Sequence, residues 1–317
     1  MHSIRATGRP GAPKSLCSLE LAPRAFGMLV IVTTTQKRMD APTVRQVQCK
    51  SILGESGICD FAVNCYTGCE HACTYCYARF MGRFHHADKP WGSFVDAKVN
   101  APEVLERQLQ RRGLFGGGSV FMSSVCDAYQ PAEREFGLTR RCLELLVQAG
   151  YNVHVQTKSA LVQRDFDLLG GRENASLCMT LASADAAVTA WTEPNASPPQ
   201  DRIETLKLAA KAGVQIKAFV GPLLPGLTDT QESLEALFAQ LAKLPLAEVY
   251  VDRLNLRWGV WPAVSHALAR FAPHALAATK AMLFSASPSR SYNRSLRVTV
   301  RQAAEKAGLK APMNMVL

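Results

Sequence analysis

The 317-residue chain contains no run of eighteen or more apolar residues, so no stretch of it can cross a bilayer as a helix. No internal repeat and no low-complexity segment is present, which excludes a solenoid or a compositionally disordered chain. The ten cysteines lack the spacing of a disulfide framework. A secretory leader is also missing. Residues 25–32 form a short apolar run after basic residues, but it sits late, and residues 33–38 offer no small-residue cleavage site. Acids are scarce at both ends. Residues 1–38 carry six Lys/Arg and one Glu, and residues 252–317 carry ten Lys/Arg and two acids. Residues 39–251 hold twenty Lys/Arg and twenty-three acids, so the net charge of +10 belongs to the ends. Such asymmetry suits a polyanionic partner and equally a solvated basic face.

What the chain does hold is one dense stretch, Cys69-Glu70-His71-Ala72-Cys73-Thr74-Tyr75-Cys76-Tyr77. Three thiols in a Cys-x3-Cys-x2-Cys spacing fit a single turn that points them at one centre. Thiolates select iron–sulfur clusters, zinc or copper(I). Closed structural zinc sites take four ligands, and common iron–sulfur clusters take four cysteines. Three leave one coordination position open for a substrate. Tyr75 sets an aromatic ring beside it. Two other readings remain open: a zinc turn completed by Cys65 or Cys59, and a dithiol pair Cys73/Cys76. An iron–sulfur centre needs reduced thiols, hence a cytoplasmic setting.

The length allows two domains or one barrel-sized domain. Apolar alternation and turn residues predict strands over 61–66, 119–125, 152–156, 176–181, 214–220 and 247–254, behind a strand-like lead-in over 41–53. Helices are predicted over 101–112, 138–148, 161–169, 200–212 and 230–243, with Pro102 in a first turn and Gly150 and Gly213 as stops. Six strands alternating with helices predict parallel strands with right-handed crossovers. The expected fold class is therefore α/β, a partial (β/α)6 TIM-like barrel. Its expected organisation is a weakly ordered extension over 1–38, a core barrel with its lead-in over 39–260, and a basic helical segment over 261–317. Met28 and Met39 are alternative starts. Functional residues of such barrels gather at the C-terminal strand ends. Those ends hold residues 66–76, 123–127, 157–159, 180–183, Gly221-Pro222 and Asn255.

The cysteine stretch resembles the signature of the radical S-adenosylmethionine (SAM) superfamily. Further stretches resemble its spore photoproduct lyase-like branch, often described as DNA-repair-photolyase-like: residues 64–79 (NCYTGCEHACTYCYAR), 91–100 (WGSFVDAKVN), 127–133 (DAYQPAE) with Leu138-Thr139-Arg140, and 157–165 (TKSALVQRD). Glu193-Pro194 and residues 222–229 (PLLPGLTD) extend the likeness over roughly 41–260. The resemblance implies an enzyme that carries a [4Fe–4S] cluster on Cys69, Cys73 and Cys76 and binds SAM. Tyr75 and Tyr77 would flank SAM, Lys158 would meet its carboxylate, and Ser124 and Thr180 would be rim contacts. The cluster would reductively cleave SAM to methionine and a 5′-deoxyadenosyl radical that abstracts hydrogen from a substrate. A flavodoxin or ferredoxin would be the electron donor, and nucleic acid the leading substrate class. Cys126 stands near the place of a hydrogen-atom donor in this branch, although a small buried thiol is the simpler reading.

The chain departs from the branch's pattern at Cys65 and Cys126, and it lacks an obvious Gly-Gly-Glu turn after the second strand. Two other classes stay in view. A zinc-stabilised nucleic-acid-binding module would bind no SAM. An electron-transfer protein without SAM chemistry would need a fourth cluster cysteine, with Cys65 the nearest. His71, between the cysteines, reads as a neighbour of the cluster or as exposed rather than as a ligand, and His85-His86 as part of a polar loop rather than a metal site. Trp258 and Trp261 read as packing over the last strand. Cys142 and Cys178 read as core residues. Asp127 and Glu133 suit a catalytic role or a structural one, and the structural reading, holding the Arg140/Arg141 helix in place, is preferred. Arg290, Arg294, Arg297 and Arg301 fall on one face of a helix whose other face, Leu296, Val300, Ala303 and Ala307, suits packing.

Overall fold

The computed structural model describes residues 42–112, 117–284 and 286–316, all within the compact unit 39–317. The extension expected over 1–38, with Cys17 and Met28, lies outside the described residues. In chain order the strands are β1 (Thr43–Val47), β2 (Leu53–Glu55), β3 (Phe61–Val63), β4 (Tyr66–Thr67), β5 (Phe94–Lys98), β6 (Ser119–Met122), β7 (Asn152–Thr157), β8 (Ala175–Thr180), β9 (Gln215–Leu223), β10 (Glu248–Arg253) and β11 (Met313–Val316).

Eight of them form one sheet in the order β11-β10-β9-β8-β7-β6-β3-β2. Every pairing from β3 to β11 is parallel, and only β2 joins antiparallel, to β3. The six expected strands are β3 and β6 to β10, lying side by side in sequence order. The sheet has two edges, β2 and β11, as an open partial barrel does. Neither edge was expected. Three residues around Gly54, and four near the end of a basic segment, are too short to show a period.

The parallel sheet buries its strands as its covering helices require. All six residues of β8 are buried, whereas β7 alternates, with Val153, Val155 and Thr157 inward. The helix Leu138–Gln148 buries Leu138, Cys142, Leu143, Leu146 and Val147, a stripe at 3.6-residue spacing. The helix Pro199–Lys211 opens on a proline, whose fixed φ suits a first turn, and buries Ile203, Leu206 and Ala209. Thr230 caps the helix Gln231–Leu241 by accepting the Ser233 N–H at 3.2 Å.

Helices Val260–Phe271, Pro273–Phe284 and Ala286–Lys306 follow β10. The last packs on Gln231–Leu241 through buried Leu296, Val300, Ala303 and Ala304, and β11 then returns to pair with β10. Residues 261–317 thus belong to the same compact unit as the sheet.

A second sheet, in the order β1-β5-β4, positions the cysteine stretch. The strand expected over 61–66 is split: β3 ends at Val63, the chain turns at Asn64 and Cys65, and β4 pairs with β5 instead. Asn64 takes part in that turn through its side chain, accepting the Val125 N–H at 3.0 Å. The strand expected over 119–125 likewise ends early. Ser123 adopts φ +68°, which no strand tolerates, so Ser124 and Cys126 lie in a bend and not on one face of a strand.

Candidate active site: the cysteine turn and the strand-end rim

Gly68 opens the turn. Its φ is +88°, and a Cβ there would stand 2.3 Å from the Phe94 carbonyl oxygen, so only glycine lets the chain pass β5. Ala72 is left-handed too, at φ +54°, a conformation costing a non-glycine residue roughly 1–2 kcal/mol. The surroundings fix it from two sides. Gln130 Oε1 accepts the Glu70 N–H at 2.9 Å, and Glu70 Oε2 accepts the Ala132 N–H at 2.6 Å. Across the turn, the Thr192 carbonyl accepts the Thr74 N–H at 2.8 Å, and Asn195 donates to the Glu70 carbonyl at 2.8 Å.

The turn therefore presents Cys69 and Cys73 buried and Cys76 half-buried, none in a disulfide. Burial pushes all three thiols up, Cys73 to about 12, while Lys158 pulls Cys73 and Cys76 down. This donor set fits an iron–sulfur cluster, which takes one thiolate per iron and leaves an iron open when three are supplied. A zinc turn would need Cys65 or Cys59 as its fourth ligand. Cys65 is fully buried with its sulfur 3.7 Å from that of Cys142, and so belongs to the core rather than to a fourth ligand position. Cys59 sits at the other end of β3, beside Ser119.

The strand ends bring most of the expected rim together. The Lys158 Nζ lies 5.9 Å from the centroid of the Tyr75 ring. Burial works against the Lys158 ammonium, but Cys73, Glu193 and Asp127 outweigh it and hold its pKa above the ordinary value. The Tyr75 hydroxyl donates to Glu193, and Glu193 is bound by Arg202 at 2.5 Å. Arg202 in turn donates to the carbonyls of Thr180 at 2.9 Å and Ser197 at 2.6 Å. The Thr180 hydroxyl accepts from Gln156 at 3.2 Å. Tyr77 is exposed and donates its hydroxyl to the Ser124 carbonyl, while the Ser124 hydroxyl accepts from Asn64 at 3.3 Å. Cys126 is half-buried and packs against the group around Cys69. Burial pushes its thiol up to about 12.

Asp127 has a different job from the one its sequence position suggested. It accepts Thr157 Oγ1 at 2.6 Å and the Lys158 N–H at 2.8 Å, and His71 Nδ1 lies 3.3 Å away. Burial opposes its charge, but His71, Thr157 and Lys158 outweigh burial and keep the carboxyl below the usual range. Asp165 and Asp167 hold Arg140 instead, each at 2.9 Å, and Glu103 holds Arg141. Glu133 does serve that helix, accepting the Thr139 N–H at 2.9 Å and the Arg140 N–H at 3.3 Å.

Other expectations change as well. His86 is buried, 2.8 Å from Asp96, rather than part of a solvated loop, and His71 is buried too. Trp258 is 55% exposed, so packing does not account for it, whereas Trp261 meets Phe284 edge-on and packs against the buried group that includes Leu254, just past β10, the last of the expected strands. Arg202 was missed altogether. A signal existed: it is a charge on the apolar stripe of its helix, one position before Ile203 and four before Leu206.

Residues 63–238, more than half of the chain, match the model of the radical SAM superfamily. An uncharacterized protein of Methanocaldococcus jannaschii is 34% identical over 171 residues, 54% of this chain and 63% of that protein. The chain thus covers somewhat under two thirds of that relative. An uncharacterized protein of Mycobacterium tuberculosis is 30% identical over 69% of this chain and 67% of its own length. Among solved structures, spore photoproduct lyase complexed with dinucleoside spore photoproduct superposes with a TM-score of 0.64 at 15% identity, covering 86% of this chain and 82% of that one. Another spore photoproduct lyase structure, with bound AdoMet and the same dinucleoside, gives 0.62 at 15% identity over 85% and 80%. These likenesses share the parallel sheet. A family whose members carry an iron–sulfur cluster and SAM accounts for three free thiols facing a lysine at the strand ends, and by its matched residues the chain belongs to the radical SAM superfamily.

Proposed function

We propose that the protein is a radical SAM enzyme that reductively cleaves S-adenosylmethionine, with a [4Fe–4S] cluster held by Cys69, Cys73 and Cys76. One observation carries the reading: three disulfide-free thiols on a turn pinned from two sides, with the Lys158 ammonium held beside them. When bound, the cluster and SAM supply a 5′-deoxyadenosyl radical able to abstract hydrogen from a substrate. The protein supplies position and exclusion of water. Lys158 receives the methionine carboxylate of SAM, and the Tyr75 ring, fixed by its bond to Glu193, forms one wall. Tyr77, Ser124 and Thr180 complete the rim. Buried Leu224 and Leu254, packed with Cys73 and Tyr75, keep water from that side.

Cys126, packed beside Cys69, is the hydrogen-atom donor in this proposal, as the spore photoproduct lyase-like reading suggests. Nucleic acid is the proposed substrate class, supported by the basic C-terminal helix. A flavodoxin or ferredoxin is the proposed electron donor. A cytoplasmic setting is part of the proposal, because an iron–sulfur cluster needs reduced thiols; among the described residues no helix is long and apolar enough to cross a membrane. The test is anaerobic reconstitution with iron and sulfide, followed by addition of SAM and dithionite and measurement of 5′-deoxyadenosine. Product above a Cys73→Ala control supports the proposal. A fully loaded protein that releases none overturns it.

A further inference from the structure

A cleft of about 200 Å³ opens between the segment after the cysteine turn and the loop after β10. Arg79, His86, Lys89, Trp91, Phe94 and Trp258 are among its lining residues, and no Asp or Glu is. It shares no residue with the rim formed by Tyr75, Ser124, Lys158 and Thr180. Two of its donors have no partner. The Trp91 indole N–H is buried without a hydrogen bond, on a side chain only 8% exposed, and so is the Arg79 Nε–H. The other end of the Arg79 guanidinium is used, donating to the Cys73 carbonyl at 3.0 Å. Buried donors normally find acceptors. Two orphan N–H groups in the wall of one cleft therefore mark a place for acceptor atoms supplied from outside.

The rest of the lining says what kind of acceptor. Arg79 carries a fixed positive charge, and Lys89 adds an ammonium that is in no ion pair among the described residues. His86 is occupied, bound to Asp96 at 2.8 Å, so its partner acid is spent within the wall. An anion with several acceptor oxygens meets both needs, and a phosphate does so best. Trp258, more than half exposed, offers a flat face at the mouth, with the Arg83 guanidinium 5.4 Å from its ring centroid. Exposed aromatic rings flanked by cations are stacking platforms for bases.

We propose that this cleft binds a nucleotide, its phosphate on the N–H groups of Trp91 and Arg79 with Lys89 alongside, and its base stacked on Trp258. The choice of a nucleotide over other anionic rings rests on the nucleic-acid reading above, which this site deepens. Because Arg79 also holds the Cys73 carbonyl, an occupied cleft would be joined to the cluster turn by one side chain.

Equilibrium dialysis on the full chain tests this with three probes: thymidine 5′-monophosphate, inorganic phosphate and single-stranded oligothymidylate. Trp91→Phe keeps an aromatic, apolar side chain and removes the N–H, and Trp258→Ala alters an exposed position; circular dichroism checks that both variants fold. The nucleotide should bind saturably and be displaced by phosphate. Each substitution should weaken it on the order of tenfold. Oligothymidylate binding that shows the same two losses identifies a strand as the source, and loss for the mononucleotide alone identifies a free nucleotide. No saturable nucleotide binding, or binding that neither substitution changes, overturns the cleft. Failure of the nucleic-acid reading looks different: oligonucleotide would bind no tighter than the mononucleotide, while both substitutions still weakened the mononucleotide.

Discussion

Asp127, at the end of the β6 bend, accepts the backbone N–H of Lys158 at 2.8 Å and so fastens the C-terminal end of β7. Its other oxygen accepts Thr157 Oγ1 and the Tyr129 N–H. Three donors hold this buried carboxylate, and the lysine next to the cluster turn is placed by it. Asp127→Asn keeps the volume but turns one acceptor into a donor, which cannot receive an N–H. The buried mismatch should cost about 1–3 kcal/mol. If Asp127 places Lys158, SAM affinity should fall severalfold while iron content stays at the unmutated level. Calorimetric SAM titration of the reconstituted variant, with iron assay alongside, checks this. Unaltered affinity would show that Asp127 serves stability alone.

Acid should unfold this protein through two buried carboxylates. Burial raises the pKa of Glu193, but Arg202, Lys158 and Tyr75 outweigh it, so the folded value lies below 4.5. Asp127 is likewise held below 3.8. A carboxyl with a lower pKa when folded binds fewer protons in the native state, so stability rises with pH through that range. The contribution is complete above the unfolded values and drains away as pH falls through the folded ones. The free energy of unfolding should therefore vary little on account of these two groups above about pH 5, and drop below about pH 4.5. Glu193→Gln leaves Arg202 buried without its counter-charge and should cost about 3–5 kcal/mol at pH 7. Its acid decline should be shallower, because one of the two linked protons is gone. Urea titrations from pH 7 down to pH 3 measure both effects, and parallel declines for the two proteins would refute the linkage.

Cluster and SAM ligands should separate cleanly by mutation. Cys73→Ala removes one of three thiolates from the turn, and the reconstituted protein should lose most of its iron and sulfide. Lys158→Ala should leave iron content intact and weaken SAM binding on the order of tenfold or more, the worth of a charge-assisted contact. Iron and sulfide analysis with SAM titration gives both answers. Full cluster content in Cys73→Ala, or unchanged SAM affinity in Lys158→Ala, would each sink the corresponding assignment.

The division between what the sequence showed and what it hid follows from range. Strands β7 to β10 are long enough, and apolar or alternating enough, to be read locally, β3 and β6 were read only as parts of longer apolar runs, and the cysteine spacing is local as well. The Arg202 side chain meets Glu193 only because the helix Pro199–Lys211 folds back over β8, and no spacing rule reports that. Asp127 was misassigned for a similar reason. In sequence it precedes the Arg140 helix, but in space it faces His71 and Lys158, which come from two other strand ends. The bend at Ser123 was hidden because its φ of +68° belongs to a residue type that does not announce it. The helices Val260–Phe271 and Pro273–Phe284 were expected only as part of a helical segment over 261–317, without bounds of their own, because tryptophans and prolines blur the apolar period there.

The basic helix offers the sharpest test of the substrate class. Along Ala286–Lys306 the apolar face of Leu296, Val300 and Ala303 is buried, as the spacing required. On the other side Arg290, Arg294 and Arg301 are exposed and Arg297 is half-buried. Two acids of neighbouring segments are engaged by this helix at other positions: Asp229 accepts the Tyr292 hydroxyl at 2.6 Å, and Glu235 pairs with Lys306 at 2.7 Å. Like charges one turn apart repel, and the repulsion is screened by salt over a Debye length of about 8–10 Å. A phosphate backbone removes the repulsion altogether and releases counterions, so affinity should fall steeply with salt, by about 0.9 in log–log slope for each phosphate neutralised on a duplex. Replacing all four arginines by glutamine should weaken DNA or RNA binding at low salt and reduce that slope by up to roughly 3.6. The apolar face of Leu296, Val300 and Ala303 is untouched, so the variant should fold. Fluorescence anisotropy with labelled duplex and single strands, from 50 to about 200 mM salt, reads both slope and affinity. If the fourfold variant binds either polymer as tightly as the unmutated protein, with the same slope, the helix does not contact nucleic acid and the proposed substrate class loses its main physical support.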